Sequence, residues 1–253
     1  MDIFCTDLDQ TLIYSYKHEI GKAKRCVEIY QGREVSFLTE KTYQLLSELK
    51  KRIGIVPVTT RTMEQYHRID LGIGKFRYAL TCNGGVLLVN GEREQTWYEK
   101  SLEMVESSKT ELQQAARCLE RIKDRTFEVR LIEELFLFTK CRHSQIAARQ
   151  LQENLQLRFA DTLTNGEKLY VVPKVLNKGM ALQRLRAYTG ALRVFAAGDS
   201  VFDLPMLEQA DLAIAPAAFG QMEEFCLRKG QIYLMPGNRV FSEELLEFLF
   251  GYI

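Results

Sequence analysis

Apolar and polar positions follow two rhythms along this chain. Ile3 to Thr6 is a short apolar run ending in acidic and turn residues, and it predicts a buried strand. Thr39 to Arg52 carries Tyr43, Leu45, Leu46 and Leu49 at helical spacing, with Thr39 placed to cap the helix. Ile53 to Thr59, interrupted by Pro57, and Tyr78 to Thr81, stopped by Asn83-Gly84-Gly85, predict two further strands. Between the first strand and first helix, Cys26 to Tyr30 and Val35 to Leu38 flank Gln31-Gly32-Arg33 and predict a small hairpin flap. The last third returns to the alternating pattern. It predicts a helix over 178–188, a strand over 194–197, a short helix over 204–209, strands over 211–215 and 231–235, and a final helix capped by Ser242. Strands alternating with helices imply an α/β fold, a parallel sheet covered on both faces.

The middle differs. Ser101 to Lys123 predicts one long amphipathic helix, and Phe127 to Leu131 with Leu135 to Thr139 predict an antiparallel pair joined by Ile132-Glu133-Glu134. Another helix is expected over 144–155, followed by strands over 157–160 and 169–172. Helix-strand-strand, twice over, is an α+β pattern inserted into an α/β one. The expected domains are therefore residues 1–87 with 173–253, and an inserted lid at 88–172.

Composition narrows the function classes. Lys and Arg total 34 against 33 Asp and Glu, so the balance offers no footprint for nucleic acid or an anionic membrane. The six cysteines, Cys5, Cys26, Cys82, Cys118, Cys141 and Cys226, form no CxxC pair. The three histidines are far apart, without HExxH. MDIFCTDLDQ has no basic segment leading into an apolar run, and no stretch is long enough to span a bilayer, so a cytoplasmic, reduced protein is expected.

Four segments carry candidate chemistry, each where a strand of the parallel sheet is expected to end, which is where ligands bind in open α/β sheets. In Asp7-Leu8-Asp9-Gln10-Thr11-Leu12, two neighbouring carboxylates repel unless a cation or proton lies between them. Magnesium held by Asp7 would relieve that repulsion; Asp7 would then be a nucleophile toward phosphorus, and Asp9 the acid and base. The competing reading is a turn in which Asp9 caps the next segment. In Val58-Thr59-Thr60-Arg61 the Thr59 hydroxyl and nearby amides, Thr60 included, would bind phosphate, or Thr59 is a plain helix cap. Lys178 opens a helix, where a cation opposes the helix dipole; it either faces phosphate and an acidic nucleophile or is a solvated surface lysine. In Gly198-Asp199-Ser200-Val201-Phe202-Asp203, Asp199 is the natural remaining metal ligand, with Asp203 supporting the metal or orienting Lys178, unless the pair merely caps the next helix.

These motifs together resemble the haloacid dehalogenase superfamily. DLDQT is similar to its DxDxT nucleophile motif, Thr59 to its second-motif Thr/Ser, Lys178 to its basic residue and GDSVFD to its acidic fourth motif, although Gln10 replaces the usual small residue and Phe202 precedes Asp203. The large insertion between the second and third motifs resembles the branch with an α+β cap, which includes sugar phosphatases, sucrose-phosphate phosphatase and phosphomannomutase. The resemblance implies a Rossmann-like parallel-sheet core with an inserted α+β cap. It also implies Mg²⁺ held by Asp7, the backbone carbonyl of Asp9 and Asp199, with Asp203 nearby, and hydrolysis of a small phosphorylated metabolite through an aspartyl-phosphate. A phosphomutase using the same Asp7 chemistry, or a phosphometabolite-binding protein without turnover, are the alternatives. Arg130, Lys140, Asn165 and Lys168 are polar candidates on the cap for choosing the substrate.

Overall fold

The computed structural model describes residues 1–221 and 232–253, so Cys226 and the first residue of the strand expected at 231 lie outside the described residues. The chain divides into two compact units, Met1–Glu94 with Lys178–Ile253, and Gln95–Asn177.

The first unit opens with β1, Ile3–Thr6, and a three-stranded flap made of β2 (Tyr14–Ser15), β3 (Lys24–Tyr30) and β4 (Arg33–Thr39) in the order β2-β4-β3. Gln31 and Gly32 both take positive φ, 52° and 74°, as a two-residue hairpin turn requires. The helix α1, Glu40–Leu49, starts where Thr39 accepts the Thr42 amide, as the sequence predicts. Next comes β5, Gly54–Pro57, and just beyond it the Val58 amide still donates to the Thr6 carbonyl at 2.8 Å while Val58 bridges to Leu80. A short α2, Met63–His67, and an antiparallel hairpin of β6 (Tyr78–Thr81), β7 (Val86–Val89) and β8 (Glu92–Arg93) complete the first pass.

The second unit holds α3 (Gln95–Val105), α4 (Lys109–Glu120), β9 (Arg130–Ile132), β10 (Phe136–Lys140), α5 (Ser144–Asn154), β11 (Ala160–Asn165) and β12 (Lys168–Pro173). Its four strands form one antiparallel sheet, β11-β12-β10-β9. Leu137, Leu169 and Val171 of that sheet pack with Leu112, Ala115 and Leu119 of α4 and Ala147 and Leu151 of α5, so this unit has a core of its own.

Two expectations for this unit need correction. The single helix expected over 101–123 is two helices, starting earlier at Gln95 and broken by a 3₁₀ turn at Glu106–Ser108. Ser107 and Ser108 are weak helix formers, and the buried Ser108 hydroxyl donates to the Phe159 carbonyl instead. The strand expected over 157–160 begins only at Ala160, because the Glu111 carboxylate takes the amides of Arg158, Phe159 and Ala160 before the ladder starts.

The chain then returns to the first unit with α6 (Lys178–Thr189), β13 (Val194–Ala197), α7 (Leu204–Gln209), β14 (Leu212–Pro216), β15 (Ile232–Met235) and α8 (Phe241–Leu249). The main sheet runs β15-β14-β13-β1-β5 with every pair parallel. β1 lies between β5, reached on the first pass, and β13, reached on the second. The strand order therefore reverses at β1, which makes its carboxyl end the expected ligand crevice. Phe4, Leu8, Leu46, Phe195, Ile214 and Leu245 join in the core beneath it. Ser242 does not cap the last helix: Val240 stands at that position, and the Ser242 hydroxyl is instead paired with Thr42 at 2.7 Å inside the core. Among the described residues, no helix is long and apolar enough to cross a membrane.

Candidate active site

Three of the predicted segments follow strands of the parallel sheet, β1, β5 and β13; Lys178 does not, because the strand before it, β12, belongs to the antiparallel sheet of the second unit and the lysine opens α6. Asp7 follows β1, its amide bonded to the Ala197 carbonyl at 2.9 Å, so its backbone is fixed by the neighbouring strand. Beyond it the chain wraps around the Leu8 carbonyl, which accepts the amides of Leu12 and Ile13 at 2.9 and 2.8 Å. Gln10 sits in that wrap with a φ of 62°.

Lys178 is not a surface lysine. It is 1% exposed, and its ammonium donates to Asp7 Oδ1 at 2.6 Å and Asp203 Oδ1 at 2.5 Å. The other Asp203 oxygen accepts the amides of Asp199 and Ser200 at 3.1 and 3.0 Å and the Ser200 hydroxyl at 2.8 Å. Asp203 makes no side-chain cap on α7, so the capping reading of this acid does not describe what it does. The turn depends on Gly198, since a Cβ there would lie 2.3 Å from the Asp203 Cβ. Thr11 Oγ1 donates to Asp199 Oδ1 at 3.0 Å.

Thr59 is buried at the end of the β5 segment, and its hydroxyl oxygen accepts the Arg61 amide at 3.2 Å, while Thr62 caps α2. Thr60, half-buried, adjoins it. Asp9 faces Arg61. Both of its oxygens are held in a fork by Arg61, Nε to Oδ2 and Nη2 to Oδ1, each at 2.7 Å. The third guanidinium nitrogen, Nη1, donates to Glu28 on the flap at 2.9 Å. Sequence alone did not assign Arg61 and Thr11, which bond Asp9 and Asp199, or Glu28, which bonds Arg61. Arg61 stood inside a quoted motif, but nothing in the spacing marks Glu28, 33 positions away from it.

The electrostatics follow from burial. Removal from water pushes the Asp7 carboxyl up to about 7 against the pull of Lys178, with the charges of Asp203 and Asp9 adding to the rise. Burial pushes Asp199 up to about 8, and Asp7 and Asp203 push the same way. For Lys178, burial favours loss of the proton, but the charges of Asp203 and Asp7 outweigh it and hold the ammonium well above the usual lysine range. One oxygen from each of Asp7, Asp199 and Asp203 lies within 4.8 Å of the others. A cation among these oxygens would offset the burial and mutual repulsion that keep the acids from ionising, and an all-oxygen donor set suits a hard divalent ion. Asp203 has both oxygens engaged by Lys178 and the turn, which leaves Asp7 and Asp199 as the freer donors.

Of the cap candidates, Lys140 and Lys168 are paired across β10 and β12, and Asn165 pairs with Lys168 across β11 and β12. Arg130 stands opposite Phe138 in β9 and lies 4.7 Å from the Phe127 ring.

Comparison with known proteins adds to this geometry. A family model described as haloacid dehalogenase-like hydrolase matches residues 89–218. No curated protein matches the chain by sequence. Among solved structures, the chain is similar to sucrose-phosphatase from Synechocystis sp., a complex with sucrose and phosphate, at 13% identity and a TM-score of 0.66, covering 100% of this chain and 97% of that one. It is similar to a phosphatase of the haloalkanoate superfamily from Bacteroides thetaiotaomicron at 18% identity and a TM-score of 0.61, covering 100% and 96%. Trehalose-6-phosphate phosphatase from Aspergillus fumigatus follows at 16% identity and a TM-score of 0.53, covering 98% and 93%. At these identities the likeness is one of fold.

Proposed function

Since the chain belongs to the haloacid dehalogenase-like hydrolases, we propose that it is a Mg²⁺-dependent phosphatase acting on a small phosphorylated metabolite, a sugar phosphate by class, in the cytoplasm. The observation that carries this reading is the buried Lys178 ammonium bonded at once to Asp7 and Asp203, with Asp199 alongside. A buried lysine shared by two carboxylates is expensive to keep unless the cluster has a task. Residues 1–87 and 173–253 form the catalytic core in this reading, and 88–172 the cap that selects the substrate.

Asp7 is the nucleophile. Its free oxygen attacks phosphorus, the ester oxygen leaves, and Asp9, carrying a proton once one arm of the Arg61 fork has opened, gives that oxygen the proton. Asp9 then takes a proton from water, which attacks the phosphoryl group on Asp7 and releases inorganic phosphate, restoring the carboxylate. Thr59, the Thr60 region and Lys178 hold the phosphoryl oxygens, and Lys178 offsets the charge that builds on them. Asp7, the Asp9 carbonyl and Asp199 would hold Mg²⁺, with Asp203 fixing the turn and the lysine. When bound, the ion supplies charge neutralisation between nucleophile and phosphate. The solved relatives named for sucrose phosphate and trehalose 6-phosphate hydrolysis support a sugar phosphate as substrate class.

The test is phosphate release from a panel of phosphomonoesters with Mg²⁺ or chelator. Release that needs Mg²⁺ and drops on the order of a thousandfold or more in Asp7→Asn is expected. An isomerised sugar phosphate without free phosphate would replace hydrolase by mutase, and an active Asp7→Asn variant would end the proposal.

A further inference from the structure

The flap strand β3 hides a carboxylate and displays an isoleucine. Glu28 is 4% exposed, whereas its neighbour Ile29 is 61% exposed. The alternation of a regular strand would place them the other way round, given that Val27 is already buried. The pairing of β3 with β4 shifts register on both sides of Glu28, between Cys26 and Glu28 and again between Glu28 and Ile29. Bulges of this kind re-aim a side chain. The backbone is held in that state from the other side as well, by a bridge between Glu28 and Ile69 and by the Asp70 amide donating to Val27 at 2.8 Å.

The re-aimed carboxylate is fully engaged. Oε2 accepts the Ser36 hydroxyl at 2.7 Å and Arg61 Nη1 at 2.9 Å, and Oε1 accepts Arg68 Nε at 3.3 Å. Arg61 is itself largely buried, with a side chain 15% exposed, and its other two nitrogens make the fork on Asp9. A planar guanidinium gripped on one edge by Glu28 cannot rotate without breaking bonds on the other. We infer that Glu28 is a positioning residue: through Arg61 it sets the place and plane of the Asp9 carboxyl, and so couples the flap to the proton-transfer step. This rests on the phosphatase reading for its chemistry but not for its geometry.

Two readouts test it on Glu28→Gln and Glu28→Ala, with Ser36→Ala as a control that removes a Glu28 partner without touching Arg61. The first is the Nε–H resonance of Arg61 in ¹⁵N-labelled protein, which needs no turnover. It should be shifted downfield and protected from exchange in the wild type and Ser36→Ala, and lose both features in the Glu28 variants. An unchanged Arg61 resonance in the Glu28 variants overturns the inference. The second compares an alkyl phosphate, whose leaving oxygen needs a proton, with a p-nitrophenyl phosphate, whose leaving group does not. Glu28→Gln should lower alkyl turnover at least about tenfold more than aryl turnover, as expected when a general acid is misplaced. Equal losses on the two esters would make Glu28 merely structural and overturn it. If the wild type releases phosphate from neither ester, the phosphatase reading fails and the Arg61 resonance alone decides the inference.

Discussion

Lysine at the first position of a helix opposes the helix dipole, and here it is also removed from water. Two carboxylates at 2.5–2.6 Å offset both costs. Replacing it with methionine leaves Asp7 and Asp203 buried without a counter-ion. Lys178→Met is therefore expected to lose turnover and about 3–5 kcal/mol of stability in urea titration. Asp7→Asn has the opposite sign for stability. Burial already favours the neutral form of this acid, so the amide relieves repulsion, and the metal-free variant should unfold at an equal or higher urea concentration while turning over nothing. The pH dependence follows from the same shifts. Asp7 and Asp199 titrate near 7 and 8 when folded but near about 4 when unfolded, so the folded state binds more protons in between. Their contribution to stability is present at low pH and is lost as pH rises through about 4 to 8. Lys178, held above its ordinary value, does not titrate in that window. Chelated protein should have a lower urea midpoint at pH 8 than at pH 5.5, and Mg²⁺ should narrow the gap.

Between elements, the packing of α6 on α7 places Lys178 as surely as its own bonds do. A Cβ on Gly179 would lie 2.3 Å from the Pro205 carbonyl oxygen, so α6 approaches α7 only because that position lacks a side chain. Gly179→Ala should cost about 1–3 kcal/mol by overpacking, read from denaturation, and should lower turnover by displacing the lysine. The flap shows the converse effect. Exposing Ile29 forgoes about 1.5–3 kcal/mol of burial, which the β3 bulge accepts in order to turn Glu28 inward.

For the whole molecule, a parallel sheet with β1 at its reversal point converges acids from residues 7 and 199 with a lysine from 178. A cation bound there ties both passes of the chain together. It should stabilise the fold by mass action, by about 1.4 kcal/mol at ten times its dissociation constant. Calorimetry with and without Mg²⁺ checks this: a transition temperature that ignores Mg²⁺ would argue against the metal site.

Much of this was readable from the chain alone. Short apolar runs closed by DLDQT, VTTR and AAGD marked β1, β5 and β13, because a strand buried on both faces must be apolar along its length and must end where polar chemistry begins. Thr39 capped its helix as expected, since a cap is a local bond. Long-range partners decided the rest. Glu111 withheld three amides from β11, Ser108 turned to Phe159 and broke a helix, and Ser242 went to Thr42 instead of capping. The Arg61 fork and the buried Glu28 belong to the same class. Periodicity reports which face of an element is apolar, whereas a bulge and a guanidinium bridge arise only when segments distant in sequence compete for the same hydrogen bonds.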